Sequence, residues 1–124
     1  MLDKAFMEAY YSTYNSEDPD ALRAFYADDV VLISAQGELR GADAILETYA
    51  LLTAQFYDHM TPTRIDIDGN RAVVEIADVF TAKRDIADFM GMALSEGEKL
   101  ELLLRGTYTV EQGRFVRIEI ELRG

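Results

Sequence analysis

Residues 71 to 82 read RAVVEIADVFTA, and one acid stands where chemistry would use it. In an extended chain Ala72, Val74, Ile76, Asp78 and Phe80 fall on one side, and Val73, Glu75, Ala77, Val79 and Thr81 on the other. Asp78 is therefore flanked by Ile76 and Phe80 on the more apolar face. A charge there is costly unless it is paired, neutralised or used. Burial raises a carboxyl pKa and a nearby cation lowers it, and either state suits general acid or base work. The competing explanations are a buried ion pair, a hydrogen-bonded core acid, or a strand that turns its other face inward and leaves Asp78 at an interface.

Other residues could join it. Tyr10, Tyr14 and Tyr49 lie on or beside apolar helical stripes, and a buried tyrosine hydroxyl needs a partner that a ligand oxygen can supply. Aromatic packing is the plain alternative for each. Ile76, Phe80 and Phe56 are apolar candidates for the wall of a ligand site. Met90, in Met90-Gly91-Met92, is a candidate lid residue, because methionine adapts to irregular apolar shapes; a loop that plugs the core explains it equally. Arg105, in LELLLRGTY, stands on a strand with two plausible inner faces. Leu100, Leu102, Leu104, Gly106 and Tyr108 form one; Glu101, Leu103, Arg105 and Thr107 form the other. Amphipathicity points the leucines inward. His59, in FYDHMTP, is the single histidine and the natural proton shuttle near neutral pH, or else a solvent-exposed histidine at a helix C-terminus.

Composition narrows the partners. A net charge of −11 argues against nucleic acid and anionic membrane, both of which need a basic surface. One histidine and no cysteine argue against a transition-metal site and a disulfide framework. Phosphate-loop, dinucleotide and Gly-x-Ser-x-Gly patterns are missing, so the expected chemistry is cofactor-free. MLDKAFMEAYYSTY has no apolar signal-peptide core and no stretch approaches a membrane span, which predicts a cytoplasmic protein.

The positioning elements read in order along the chain. Helical spacing runs from Leu2 to about Tyr14. Asp18-Pro19 starts a short second helix. Val30 to Ser34 is a strand, followed by turns around Gly37 and Gly41. ADAILETYALLTAQF is a third helix with Ile45, Tyr49, Leu52 and Phe56 in one stripe. After HMTPT the period changes to two. RIDID and RAVVEIADVFTA flank the turn Asp68-Gly69-Asn70, and KLELLLRGTYTV and RFVRIEIEL flank Glu111-Gln112-Gly113. The intervening AKRDIADFMGMALSEGE reads as a loop or short helix. The order α-α-β-α-β-β-β-β predicts an α+β fold, with helices on one face of an antiparallel sheet.

This order, together with Asp20-Ala21-Leu22, Phe25-Tyr26-Ala27-Asp28-Asp29, Leu39-Arg40-Gly41 with Ile45, Asp68-Gly69-Asn70 and Gly113-Arg114-Phe115, resembles the SnoaL-like branch of the nuclear transport factor 2-like superfamily. The resemblance implies one domain over residues 1–124. It further implies a cone, with the three N-terminal helices packed on a curved antiparallel or mixed sheet around a deep apolar pocket for a small apolar ligand, and homodimers through the outer sheet face. Its members include isomerases, dehydratases, epoxide hydrolases, polyketide cyclases and non-catalytic binders, so fold alone does not name a reaction. SnoaL-like proteins often carry a histidine near the pocket mouth, the place His59 would take. Ketosteroid isomerases of this superfamily use a base aspartate with a tyrosine and a protonated aspartate. Counting from Tyr26-Ala27-Asp28-Asp29 and from Gly113-Arg114, those three fall at Ser34, Tyr10 and Arg105. Only the tyrosine survives, and neither Ile33 nor Ala35 supplies the acid, so ketosteroid isomerase chemistry is rejected. The borrowed register turns Arg105 inward, where it would pair with Asp78; epoxide hydrolases of this fold use an Asp-Arg-Asp arrangement of that kind. The resulting expectation is a cofactor-free acid/base catalyst acting on a small carbonyl- or hydroxyl-bearing molecule, with Asp78, His59, Tyr10 and Arg105 as the catalytic candidates. The alternative is a non-catalytic ligand-binding or dimerisation module.

Overall fold

The computed structural model describes residues 2–123. Helix α1 (Lys4–Tyr14) starts where the Asp3 carboxylate accepts the Phe6 N–H at 2.8 Å. Helix α2 (Pro19–Arg23) starts where Asp18 accepts from the N–H groups of Asp20 and Ala21, with Pro19 filling the first turn. Strands β1 (Tyr26–Ser34) and β2 (Gly37–Arg40) form a hairpin, so the segment between Gly37 and Gly41 is a strand and not only turns. Helix α3 (Ala42–Gln55) follows, then β3 (Phe56–Asp68), β4 (Arg71–Ala82), β5 (Ile86–Phe89), β6 (Met92–Leu94), β7 (Lys99–Glu111) and β8 (Arg114–Leu122).

Six strands form one sheet in the order β2-β1-β8-β7-β4-β3; β1 and β8 are parallel and the other neighbours antiparallel. Register shifts in the β1–β8, β3–β4 and β7–β8 pairs bend the sheet, giving the α+β architecture that the element order predicts and the cone that the resemblance implies. The β7–β8 turn is tight, with positive φ at both Gln112 (53°) and Gly113 (77°), the geometry that matches strand twist. The segment expected to be a loop or short helix is instead a second, two-stranded sheet, β5–β6. Its turn, Met90-Gly91, has positive φ at both residues.

The inner face is the amphipathic one on both central strands. On β4, every even-numbered residue from Ala72 to Ala82 is buried, and on β7 Leu104, Gly106, Tyr108 and Val110 are buried. The core is aromatic. Tyr10 lies edge-on to Tyr11, Phe25, Tyr26, Tyr108 and Phe115, a geometry that rings favour beyond area burial alone. Gly106 makes room for this arrangement: a Cβ there would lie 2.7 Å from Cε1 of Tyr108. A smaller cluster of Phe56, Phe80, Ala82, Ile86 and Leu94, with Phe89 against it, fastens the β5–β6 hairpin over one end of the sheet.

Candidate functional site

A cavity of about 400 Å³ opens between the helices and the inner face of the sheet. Its deep wall carries Tyr10, Tyr14, Tyr49, Asp58 and Asp78, and its exposed lining residues, Ala35 to Glu38, Thr48, Met90, Glu121 and Leu122, mark the mouth. Phe89 and Met90 therefore line the space and do not fill it.

The chemistry concentrates in two acids. Asp78 is 1% exposed and Asp58 5% exposed. Met60 pairs with Asp78 and Asp58 with Phe80, so the two acids are diagonal neighbours on one face of the β3–β4 ladder. Asp58 is positioned by an unusual strand start. Phe56 opens β3 directly after α3 and is not a helix residue as the apolar stripe suggested; Phe56, Asp58 and Met60 then alternate inward. Proline 62 is tolerated because β3 is an edge strand. The side chain of Asn15 fixes this edge to α1: its Nδ2 donates to the Met60 carbonyl at 2.9 Å and its Oδ1 accepts the Met60 N–H at 2.8 Å.

Hydrogen bonds then set the charge. The Tyr14 hydroxyl donates to Oδ2 of Asp58 at 2.7 Å, and the Tyr49 hydroxyl donates to the Tyr14 carbonyl at 2.6 Å, holding Tyr14 in place. Oδ1 of Asp58 and Oδ1 of Asp78 are buried and receive no donor from any other described residue. Two neighbouring carboxyls in such a setting oppose each other's ionisation. Burial raises the pKa of Asp58, but hydrogen bonds from Asp78 and Tyr14 and the nearby His59 oppose the rise. Burial, then the hydrogen bond to Asp58 and its charge, push Asp78 up to about 10. Asp78 is thus the member of the pair that holds on to its proton, while the bond from Tyr14 favours the carboxylate form of Asp58. Tyr10 shares a 2.9 Å hydrogen bond with Tyr26 beside the pair, and burial raises the pKa of both hydroxyls.

The other candidate residues separate cleanly. Tyr14, Tyr49, Phe80 and Met90 line the cavity with Tyr10 and Asp78. Phe56 and Ile76 do not: Phe56 packs on Phe80 and Phe89, and Ile76 is fully buried in the main core. His59 stands opposite Val79 on the outer face and is exposed. Arg105 also points outward. Its guanidinium lies 3.5 Å from Glu121 and 4.0 Å from Glu75, so the pairing with Asp78 does not exist. The leucine face of β7 took the interior, as amphipathicity requires, and the register borrowed from the isomerases failed by one residue. Among the described residues, no lysine, arginine or histidine lines the cavity, and no group of three or more metal-binding side chains occurs. No helix is long and apolar enough to cross a membrane.

Comparison with known proteins agrees with this architecture. No curated protein gives a significant match. Among solved structures, an LEH-like epoxide hydrolase from M. tuberculosis superposes with a TM-score of 0.77 at 18% identity, over 96% of this chain and 80% of that one. A candidate polyketide cyclase from Pseudomonas putida gives 0.78 at 21% identity, over 97% and 90%. IdmH, a candidate polyketide cyclase from Streptomyces antibioticus, gives 0.76 at 21%, over 94% and 88%. At such identities the likeness is one of fold alone. The family model of the SnoaL-like domain matches residues 7–118, and the chain belongs to that family.

Proposed function

We propose that the protein is a cofactor-free acid/base catalyst for a small, largely apolar molecule bearing a carbonyl or hydroxyl group. The observation that carries this reading is the pair of buried carboxyls, Asp58 and Asp78, side by side at the wall of an open cavity. Asp58 would be the base, taking a proton from carbon or from water. Asp78 would be the acid, giving its proton to the substrate oxygen. Tyr14 would hold Asp58 in its ionised form, and Tyr10 would offer a hydroxyl to the same oxygen. Pairs of acids pushed to different protonation states are how enzymes divide these roles. Isomerisation, cyclisation, dehydration and hydration all need this division. An epoxide-opening step on the Asp-Arg-Asp pattern is not supported, because no arginine reaches the cavity.

Proton NMR in D₂O of cyclic β-diketones and enones tests the reading. The wild type should accelerate deuterium exchange next to the carbonyl, and Asp58→Asn should remove the acceleration. Equal rates in the two proteins would end the acid/base assignment. Binding of the same molecules without exchange would favour the second reading, a ligand carrier without turnover. The open cavity and the Tyr14–Asp58 hydrogen bond fit that reading too.

A further inference from the structure

The charge in this cavity has no counter-charge. Asp58 and Asp78 are two buried acids set side by side behind apolar and aromatic walls. A carboxylate out of water needs a cation or several donors. The chain supplies one hydroxyl donor, from Tyr14, to Asp58 and none to Asp78 outside the pair. Every basic side chain lies elsewhere. Arg105 faces outward toward Glu75 and Glu121, and Arg40 pairs with Glu38 at 2.5 Å outside the mouth. His59 turns away on the outer face of β3. Tyr10 and Tyr14 of α1, Tyr49 of α3, Tyr26 of β1 and Tyr108 of β7 line the cavity with the pair and bring neutral hydroxyls; the other charged lining residues, Glu38 and Glu121, are exposed at the mouth beside Arg40 and Arg105.

Granted the paired-acid reading of Asp58 and Asp78, we propose that the molecule this cavity takes is a cation, an amine protonated at neutral pH, whose N–H groups donate to the free carboxyl oxygens of the pair while its alkyl body packs on Tyr10, Tyr14, Tyr49 and Phe80. Three features converge on an amine. The buried acids have acceptor capacity that the chain leaves unfilled. The surrounding rings attract cations through their faces, most strongly where water is excluded. The whole chain is acidic, with 23 Asp and Glu against 12 Lys and Arg, and such a field focuses cations into a low-dielectric cleft. An anion would meet the pair with no cation to receive it. The cavity has room for about a dozen waters at ~30 Å³ each, and so for a ligand of similar heavy-atom count.

Isothermal titration calorimetry at pH 7 with three probes of matched shape decides the matter: cyclohexylmethylamine, cyclohexylmethanol and cyclohexanecarboxylate. The amine should bind the wild type at least tenfold more tightly than the alcohol, and the carboxylate should not bind. The double variant Asp58→Asn/Asp78→Asn has no charge at the site and should bind amine and alcohol within threefold of each other. The proposal is overturned if the alcohol binds the wild type as well as the amine does. It is overturned equally if the folded double variant retains the tenfold preference, because the general acidic field then makes the selection. Carbonyl exchange in D₂O that depends on Asp58, found alongside alcohol binding as tight as amine binding, would sink the amine and leave the acid/base function standing.

Discussion

Replacing Asp78 by asparagine should make the protein more stable above neutral pH, although the residue is almost completely buried. The isostere keeps the volume, and its amide N–H replaces the carboxyl O–H as donor to Asp58, so packing and hydrogen bonding survive. What changes is titration. In the unfolded chain an aspartate gives up its proton near pH 3.9; in the folded protein Asp78 retains it to about pH 10. A raised folded-state pKa gives stability that is fully present below the unfolded pKa and is lost as pH climbs toward the folded one. Between those limits the folded wild type holds one proton more than the unfolded chain. Its stability should therefore fall, relative to Asp78→Asn, by about 1.4 kcal/mol per pH unit.

From pH 6 to pH 8 the gap should widen by about 3 kcal/mol in favour of the variant. Urea titration suits the measurement, with the seven tyrosines as the fluorescence probe in a chain without tryptophan. Groups that the substitution leaves untouched cancel in the difference. A difference that stays constant across this range would show that Asp78 and Asp58 share no proton. A variant that loses ~3–5 kcal/mol at pH 7 would show that Asp78 is an ionised member of a buried ion pair. Either result removes the acid from the proposed mechanism.

Two further substitutions test the supports of the site. Tyr14→Phe removes the only hydroxyl donor to Asp58 and should cost about 1–3 kcal/mol at pH 7, the penalty of leaving a buried acceptor short of its bond; thermal denaturation reads it, and an unchanged midpoint would show that the contact contributes nothing. Gly106→Ala places a methyl group 2.7 Å from a ring fixed by the hydrogen bond from Tyr11 to Tyr108 and by the Phe115 contact. Overpacking of this kind costs about 1–3 kcal/mol, and urea midpoints that match the wild type would mean that the Tyr108 ring moves freely.

Most of the architecture was legible because local signals agreed. Asp18-Pro19 marked α2, the two short turns marked the long hairpins, and strict alternation on β4 fixed the face that carries Asp78. The β5–β6 hairpin was missed because only Met90-Gly91 marks its turn and its strands hold four and three residues, too few to show a period. Arg105 shows the limit of borrowed numbering: a strand's side chains alternate, so an error of one residue moves a side chain from the cavity to solvent.

Asp58 and His59 turn on a subtler error of the same kind. The β3–β4 hairpin begins with Asp68 opposite Arg71 and Ile65 opposite Val74. Extended without interruption, that register would set His59 opposite Phe80 on the inner face and Asp58 opposite Thr81 on the outer. The ladder is interrupted between Pro62 and Arg64: Pro62 pairs with Ile76 and Arg64 with Glu75, which leaves Thr63 as an extra residue with its hydroxyl donating to the Glu75 carbonyl. One inserted residue reverses every side chain beyond it. The histidine that a simple reading places in the pocket is thereby turned to solvent, and the acid beside it is turned in to face Asp78. Bulges are frequent next to active sites because they re-aim side chains. The only cue in the sequence was Pro62, whose missing N–H already breaks the ladder at that point.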